Sequence, residues 1–200
     1  MKEDILEQIV DDYLKLKGYF TMANVKFLPS KDDPQYSSKQ DSVSSDIDIV
    51  GLNPKLEGEQ KVVAVSCKSW QEGFSPGWEL DMIRKKKIVG GRERWKSYRE
   101  LTNDKWAKAF RKKIFEITGR DQFSYWTACV YVPKEQRRFI PDWVENEEFK
   151  KRLTPHLSIK MLRDMLQEIH SVMRTTPAGS EVGRLIQVIK AANIKLEWAG

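Results

Sequence analysis

Two short stretches carry residues able to do joint acid and amine chemistry. DIDIVG supplies Asp46 and Asp48, and VAVSCKSW supplies Ser66 and Lys68. Side chains two apart on a strand project to the same side. Read as strands, the first puts Asp46, Asp48 and Val50 on one face and Ile47 and Ile49 on the other. The second puts Val62, Ala64, Ser66 and Lys68 on one face and Val63, Val65 and Cys67 on the other. Paired as a hairpin, the two bring Asp48, Ser66 and Lys68 to one point. Carboxylate oxygens suit a hard cation such as Mg2+ or Mn2+, which prefers oxygen ligands and keeps several waters. Such a cation polarises a phosphate and lowers the pKa of a bound water, while a nearby lysine orients that water or neutralises developing charge. The plain alternative is an edge hairpin with solvated charges, since short motifs match by chance.

The elements that must hold these residues follow from periodicity. Residues 3 to 17 read as an amphipathic helix, with Ile5, Leu6, Ile9, Val10, Tyr13 and Leu14 at helical spacing and Gly18 as a stop. Glu7 flanks that stripe. Tyr19 to Leu28 reads as a strand. PSKDDPQYSSKQDSVS, residues 29–44, is polar and reads as a loop with room to move. A helix is expected from Trp78, with Leu80, Ile83 and Lys87 on related faces, and Gly90-Gly91 marks a break. Asn103 to Thr118 reads as a helix striped by Trp106, Ala109, Phe110, Ile114 and Ile117, with Trp106 in the core. FSYWTACVYV, residues 123–132, is apolar on both faces at its centre and reads as a buried strand covered on two sides. Residues 134–153 read as loop plus short helix, and 158–174 as a helix with Met161, Leu162, Met165, Leu166, Ile169 and Met173. TTPAGS breaks it, and Ser180 caps a last helix running to about Asn193.

This order is helix, three strands, helices, strand. With Glu7, Asp48 and Lys68 in their places, the chain resembles the PD-(D/E)XK nuclease superfamily, the restriction-endonuclease-like fold that includes Holliday-junction resolvases and Mrr-type restriction nucleases. The resemblance covers roughly residues 3–132. It rests on Glu7, eleven residues before the glycine of KLKGYF, on DIDIVG, and on VAVSCKSW. It implies an α/β fold, a mixed sheet flanked by helices over residues 1–138; the helical runs that follow read as an extension over 139–200 packed on the same domain. It implies a metal-dependent endonuclease acting on DNA, with Asp48, Lys68, Ser66 and Glu7 at the catalytic centre. Two residues depart from the family pattern. Ile47 precedes Asp48 where proline is common, and Ser66 stands where the family usually has Glu or Asp. Three explanations remain open for the second: catalysis is lost and only nucleic-acid binding survives, Asp46 and Glu7 supply the charge, or the acid has moved to the following helix. Some restriction enzymes show that last pattern, and Asp81 fits it better than Glu79.

Charge points the same way. Lys and Arg outnumber Asp and Glu by 35 to 29, which favours an anionic partner, nucleic acid first and an acidic membrane surface second. Arg84, Lys85, Lys86, Lys87, Arg92 and Arg94 directly follow the motif, and Lys105, Lys108, Arg111, Lys112 and Lys113 continue the run. Trp95 and Tyr98 are interleaved, suited to stacking on unpaired bases. A helix start near Pro76 to Glu79 adds a place for phosphate. The rivals are a catalytically silent nucleic-acid-binding module on the same fold and a basic protein-interaction domain. Cys67 and Cys129 sit in apolar strand-like runs and read as reduced thiols, which points to a cytoplasmic protein. No apolar run has the length of a membrane span, so no membrane partner is expected. A homodimer is compatible with the family resemblance. His156 and His170 lack the spacing of a local metal motif, and IVGGRE lacks the lysine of a phosphate loop.

Overall fold

The computed structural model describes residues 4–172 and 180–194. In chain order the elements are α1 (Ile5–Leu16), β1 (Phe20–Phe27), α2 (Ser38–Asp41), β2 (Ser45–Leu52), β3 (Val62–Lys68), α3 (Pro76–Arg84), β4 (Ile88–Val89) and β5 (Arg92–Glu93). A 3-10 turn, Arg94–Tyr98, leads into α4 (Arg99–Thr102), α5 (Asp104–Thr118) and β6 (Ser124–Cys129). Then come another such turn, Lys134–Phe139, and α6 (Ile140–Val144), α7 (Glu147–Arg152), β7 (Leu157–Met161), α8 (Leu162–Val172) and α9 (Glu181–Ala191).

The chain is α/β, built on a mixed five-stranded sheet ordered β1-β2-β3-β6-β7 with helices on both faces. The first three strands are antiparallel neighbours, while β3, β6 and β7 run parallel. One face packs on α1, whose Leu6, Ile9, Val10, Tyr13 and Leu14 meet Ile49, Val63 and Val65. Asp4 caps α1 by accepting the Leu6 N–H at 2.8 Å, and Gly18, at φ +88°, ends it where an L side chain is disfavoured. The other face packs on α5 through Trp106, Ala107, Phe110 and Ile114, joined by Trp143 of α6 and Phe149 of α7.

Two expectations for the second half need correction. Residues 157–161 are a strand, not the start of a helix, so the extension expected to be helical adds an edge to the main sheet. The physical reason lies in β6. That strand is buried through its second half, and its backbone donors and acceptors need a partner on each side. Leu157, Ile159 and Met161 alternate and pack against the α5-side core, a period of two hidden inside a run that also fits helical spacing. The helix itself is α8; its expected end at 174, with Met173, and most of TTPAGS lie outside the described residues, as does position 3 of the first helix. Ser180 does cap α9, accepting the Gly183 N–H at 3.1 Å.

Gly90-Gly91 is more than a break. Both glycines have positive φ, +56° and +76°, and they join β4 to β5 as a tight hairpin. The polar stretch 29–44 is strapped down. Asp41 is fully buried, pairs with Lys105 of α5 at 2.6 Å, and accepts the Trp106 indole N–H at 3.0 Å and the Ser37 N–H at 2.7 Å. Among the described residues no helix is long and apolar enough to cross a membrane.

Candidate active site

The candidate site forms where β2 leaves β3. Pairing between them runs from Leu52–Val62 to Ile49–Val65 and goes no further. The next residue on β2, Asp48, bridges the gap with its side chain: Oδ2 accepts the Cys67 backbone N–H at 2.5 Å. The strict alternation expected of β2 fails here. Ile47 and Val50 join the core under α5, while Ile49 joins the core under α1. Opposite this point, pairing with β1 skips Asn24, which has φ +55°. A left-handed residue inside a strand twists it locally and resets which side its partners present. Asp48 therefore sits at a crossover between faces instead of sharing one with Asp46 and Val50.

Burial is the main influence on Asp48 and pushes its pKa up to about 6; the Lys68 charge and the Cys67 N–H oppose the rise, and Asp46 and Glu100 add to it. Lys68 is thus the strongest charged neighbour of this carboxylate, although no ion pair within 4 Å joins them among the described residues. The β3 alternation holds as expected: Val62 and Ala64 face α5, and Val63, Val65 and Cys67 face α1. The Lys68 ammonium donates to Ser66 Oγ at 2.9 Å and to the Ser97 carbonyl at 3.3 Å. It lies 5.0 Å from the Tyr98 ring centroid and 5.9 Å from that of Trp70. Two hydrogen bonds and two rings hold the amine in place.

The structure adds an acid that sequence reasoning missed. Glu100, on the short α4, is buried, and its carboxylate accepts the Tyr125 hydroxyl at 2.5 Å. Burial and then the Glu100 charge push the Tyr125 phenol well up, and Asp48 contributes to the same rise. Glu100 and Asp48 therefore lie in one electrostatic neighbourhood. Nothing in SYRELT marks a glutamate as internal. It reaches the sheet only through the Tyr125 hydroxyl, from an α4 that packs on α5 and α7.

The acids named from the sequence have other partners. Asp46, exposed, pairs with Lys26 across the β1–β2 ladder at 2.7 Å. Asp81 pairs with Lys85 one turn on at 2.8 Å. Glu79 is buried and held by both ends of the Arg94 guanidinium, its Oε2 accepting Nε–H at 2.5 Å. Glu7 sits on α1, and its charge acts on the Cys67 thiol, which burial first and Asp48 next push well up. Cys67 faces α1, away from Ser66 and Lys68.

Among the cations, Arg84, Lys85, Lys86 and Lys87 are exposed where α3 ends, and Lys86 has φ +50°. Arg92 is exposed on the hairpin. Arg94 is enclosed, stacked 4.4 Å from Trp70 and 5.3 Å from Trp78. The start of α3 is covered: Gly77 N–H donates to Gln136 Oε1 at 3.2 Å, and a Cβ on Gly77 would meet Phe139 at 2.6 Å. That leaves no room there for a phosphate.

Among the described residues, no three His, Cys, Asp or Glu side chains stand together in a group that could hold a metal ion. Mg2+, however, is usually bound through one or two carboxylates, with water and substrate phosphate completing the shell. Asp48, Glu100 and the Ser66 hydroxyl offer oxygen donors alone, and the Glu100 charge adds to the rise of the Asp48 pKa. This set fits a hard cation shared with substrate and does not fit an all-protein cage. No family model, curated protein or solved structure matches this chain.

Proposed function

We propose that this protein is a metal-dependent DNA endonuclease on a restriction-endonuclease-like core. Asp48 and Glu100 are the carboxylates that would hold Mg2+ or Mn2+, and Lys68 is the amine that positions the attacking water. The observation that carries the reading is the half-buried Asp48 carboxylate at the parting of β2 and β3, with Lys68 as its strongest charged neighbour. Once bound, the cation supplies Lewis-acid polarisation of the phosphate and a water of lowered pKa. The rest falls to the chain. Asp48 is fixed by the Cys67 N–H, which leaves Oδ1 for the cation. Ser66 anchors the lysine instead of acting as a charged ligand, and Glu100 takes over the acid's part from α4. The Lys68 ammonium can then offset charge that builds on the phosphate.

A second reading, a silent nucleic-acid-binding module, is favoured by one observation: the acid position is a serine already engaged by Lys68. Nicking of supercoiled plasmid separates the two. Wild type should nick with Mg2+ or Mn2+ and stop in chelator, and Asp48→Ala and Lys68→Ala should each lose roughly a hundredfold or more in rate, the scale of removing a group that stabilises charge in the transition state. Salt-sensitive DNA binding without nicking by wild type would decide for the module.

A further inference from the structure

We infer that Arg99 and Arg92 form a binding site for a backbone phosphodiester of the nucleic acid, beside the Asp48–Lys68 centre. The inference rests on the nucleic-acid reading above, but not on catalysis. Arg99 opens α4, immediately before Glu100, and its guanidinium lies over the Trp106 ring at 4.4 Å from the centroid. That platform is rigid, because Trp106 is fully buried and its indole N–H is held by Asp41. The fork above it is unsatisfied. Arg99 Nε is buried with no acceptor, and Nη1 has only a long 3.4 Å contact to the Val43 carbonyl. A guanidinium carries five donors and no acceptor, so an unmet buried one is costly unless an anion completes it.

Neutralisation follows the same division. Arg94 is paired to Glu79 and Arg152 to Asp104, but among the described residues neither Arg99 nor Arg92 has a carboxylate within 4 Å. Arg92 is exposed and donates only to the Lys96 carbonyl at 3.3 Å. The two feel each other: burial first, then the Arg92 charge, depresses the Arg99 pKa. The Asp41 and Glu100 charges oppose that fall but neither makes an ion pair with Arg99 within 4 Å, so two arginine forks flank one turn with donors to spare, and a phosphate takes such forks bidentately. The 3-10 turn between them ties this pair to the centre, since its Ser97 carbonyl also holds the Lys68 ammonium. A single carboxylate from a protein partner would meet one fork. A phosphodiester chain can engage this pair and continue to the exposed cations Arg84 to Lys87.

The test is equilibrium binding of a short fluorescein-labelled DNA duplex in chelator, by anisotropy across a salt series, so that cleavage plays no part. Arg99→Ala and Arg92→Ala should each flatten the plot of log K against log salt by about 0.9. Arg99→Lys should keep the slope and weaken binding at fixed salt, because it keeps the charge but loses the fork. Arg120→Ala, remote from the pair, should match wild type. Inorganic phosphate should compete far more weakly than unlabelled duplex if the ligand is a nucleic-acid backbone, and equal competition per phosphate would overturn that source. Arg99→Ala could disturb the Trp106 platform, so the exposed Arg92→Ala decides: an unchanged slope in that variant, with wild-type unfolding, overturns the site. Failure of wild type to nick leaves it standing. Failure of wild type to bind duplex overturns both readings.

Discussion

A carboxylate placed where two strands part cannot shed its charge into water, and Asp48 carries the consequence. Its pKa stands at about 6 against an ordinary 3.8. Between those values the folded protein binds a proton that the unfolded chain does not. The Asp48 contribution to stability is therefore most favourable below about pH 4, falls as pH rises to about 6, and stays low above that. Asp48→Asn keeps an oxygen for the Cys67 N–H and removes the charge. It should stabilise the protein at pH 7.5 by on the order of 2 kcal/mol, and the gain should vanish near pH 4. Urea midpoints at the two pH values check this; equal effects at both would mean the carboxylate is not held out of water. A gain in stability paired with loss of nicking is what a strained catalytic group predicts. Ser66 and Lys68 were legible as a same-face pair, because they sit two apart on one strand. Glu100 was not, because its place depends on a helix docking from outside the motif.

At the scale of elements, the polar stretch before β2 behaves as a strap. Its composition promises a loop, and only the buried ion pair reveals the tie. Burial alone would push Asp41 up, but the bonds from Lys105, Ser37 and Trp106 outweigh it and hold its pKa below the usual value. Its contribution is thus present above about pH 4, the ordinary carboxylate value, and lost as pH falls below. Asp41→Ala strands the Lys105 ammonium in the interior and should cost about 3–5 kcal/mol, the range for breaking one side of a buried pair. Denaturant unfolding at neutral pH measures it, and a loss below about 1 kcal/mol would place the pair in water after all. The same logic removes Arg94 and Glu79 from the candidate site. Their charges satisfy each other between α3 and the hairpin, although in the sequence each looked available for ligand.

At the scale of the molecule, the site depends on the C-terminal part of the chain. Trp143 is buried against Phe74 and Tyr98, with ring centroids 5.0 Å and 5.1 Å away, and Tyr98 is one of the rings that flank Lys68. β7 completes the pairing of β6. A chain ending at residue 138 should therefore show no cooperative unfolding transition, whereas the full chain should unfold in one step. A folded, cooperative fragment 1–138 in circular dichroism would instead make residues 139–200 a separable layer.

The sequence by itself determined the elements whose pattern repeats along neighbouring residues: α1 with its glycine stop, strands β1 to β3 and β6, helix α5, and the shared face of Ser66 and Lys68. Local periodicity carries that information, since each element buries its own stripe. Tertiary structure alone decided the rest. It turned Asp48 through the crossover opposite Asn24, made 157–161 a strand because β6 needed a second partner, brought Glu100 to the centre, and matched Glu79 with Arg94. Each of these is settled by contacts between residues far apart in the chain, whose energy leaves no mark on the spacing of near neighbours.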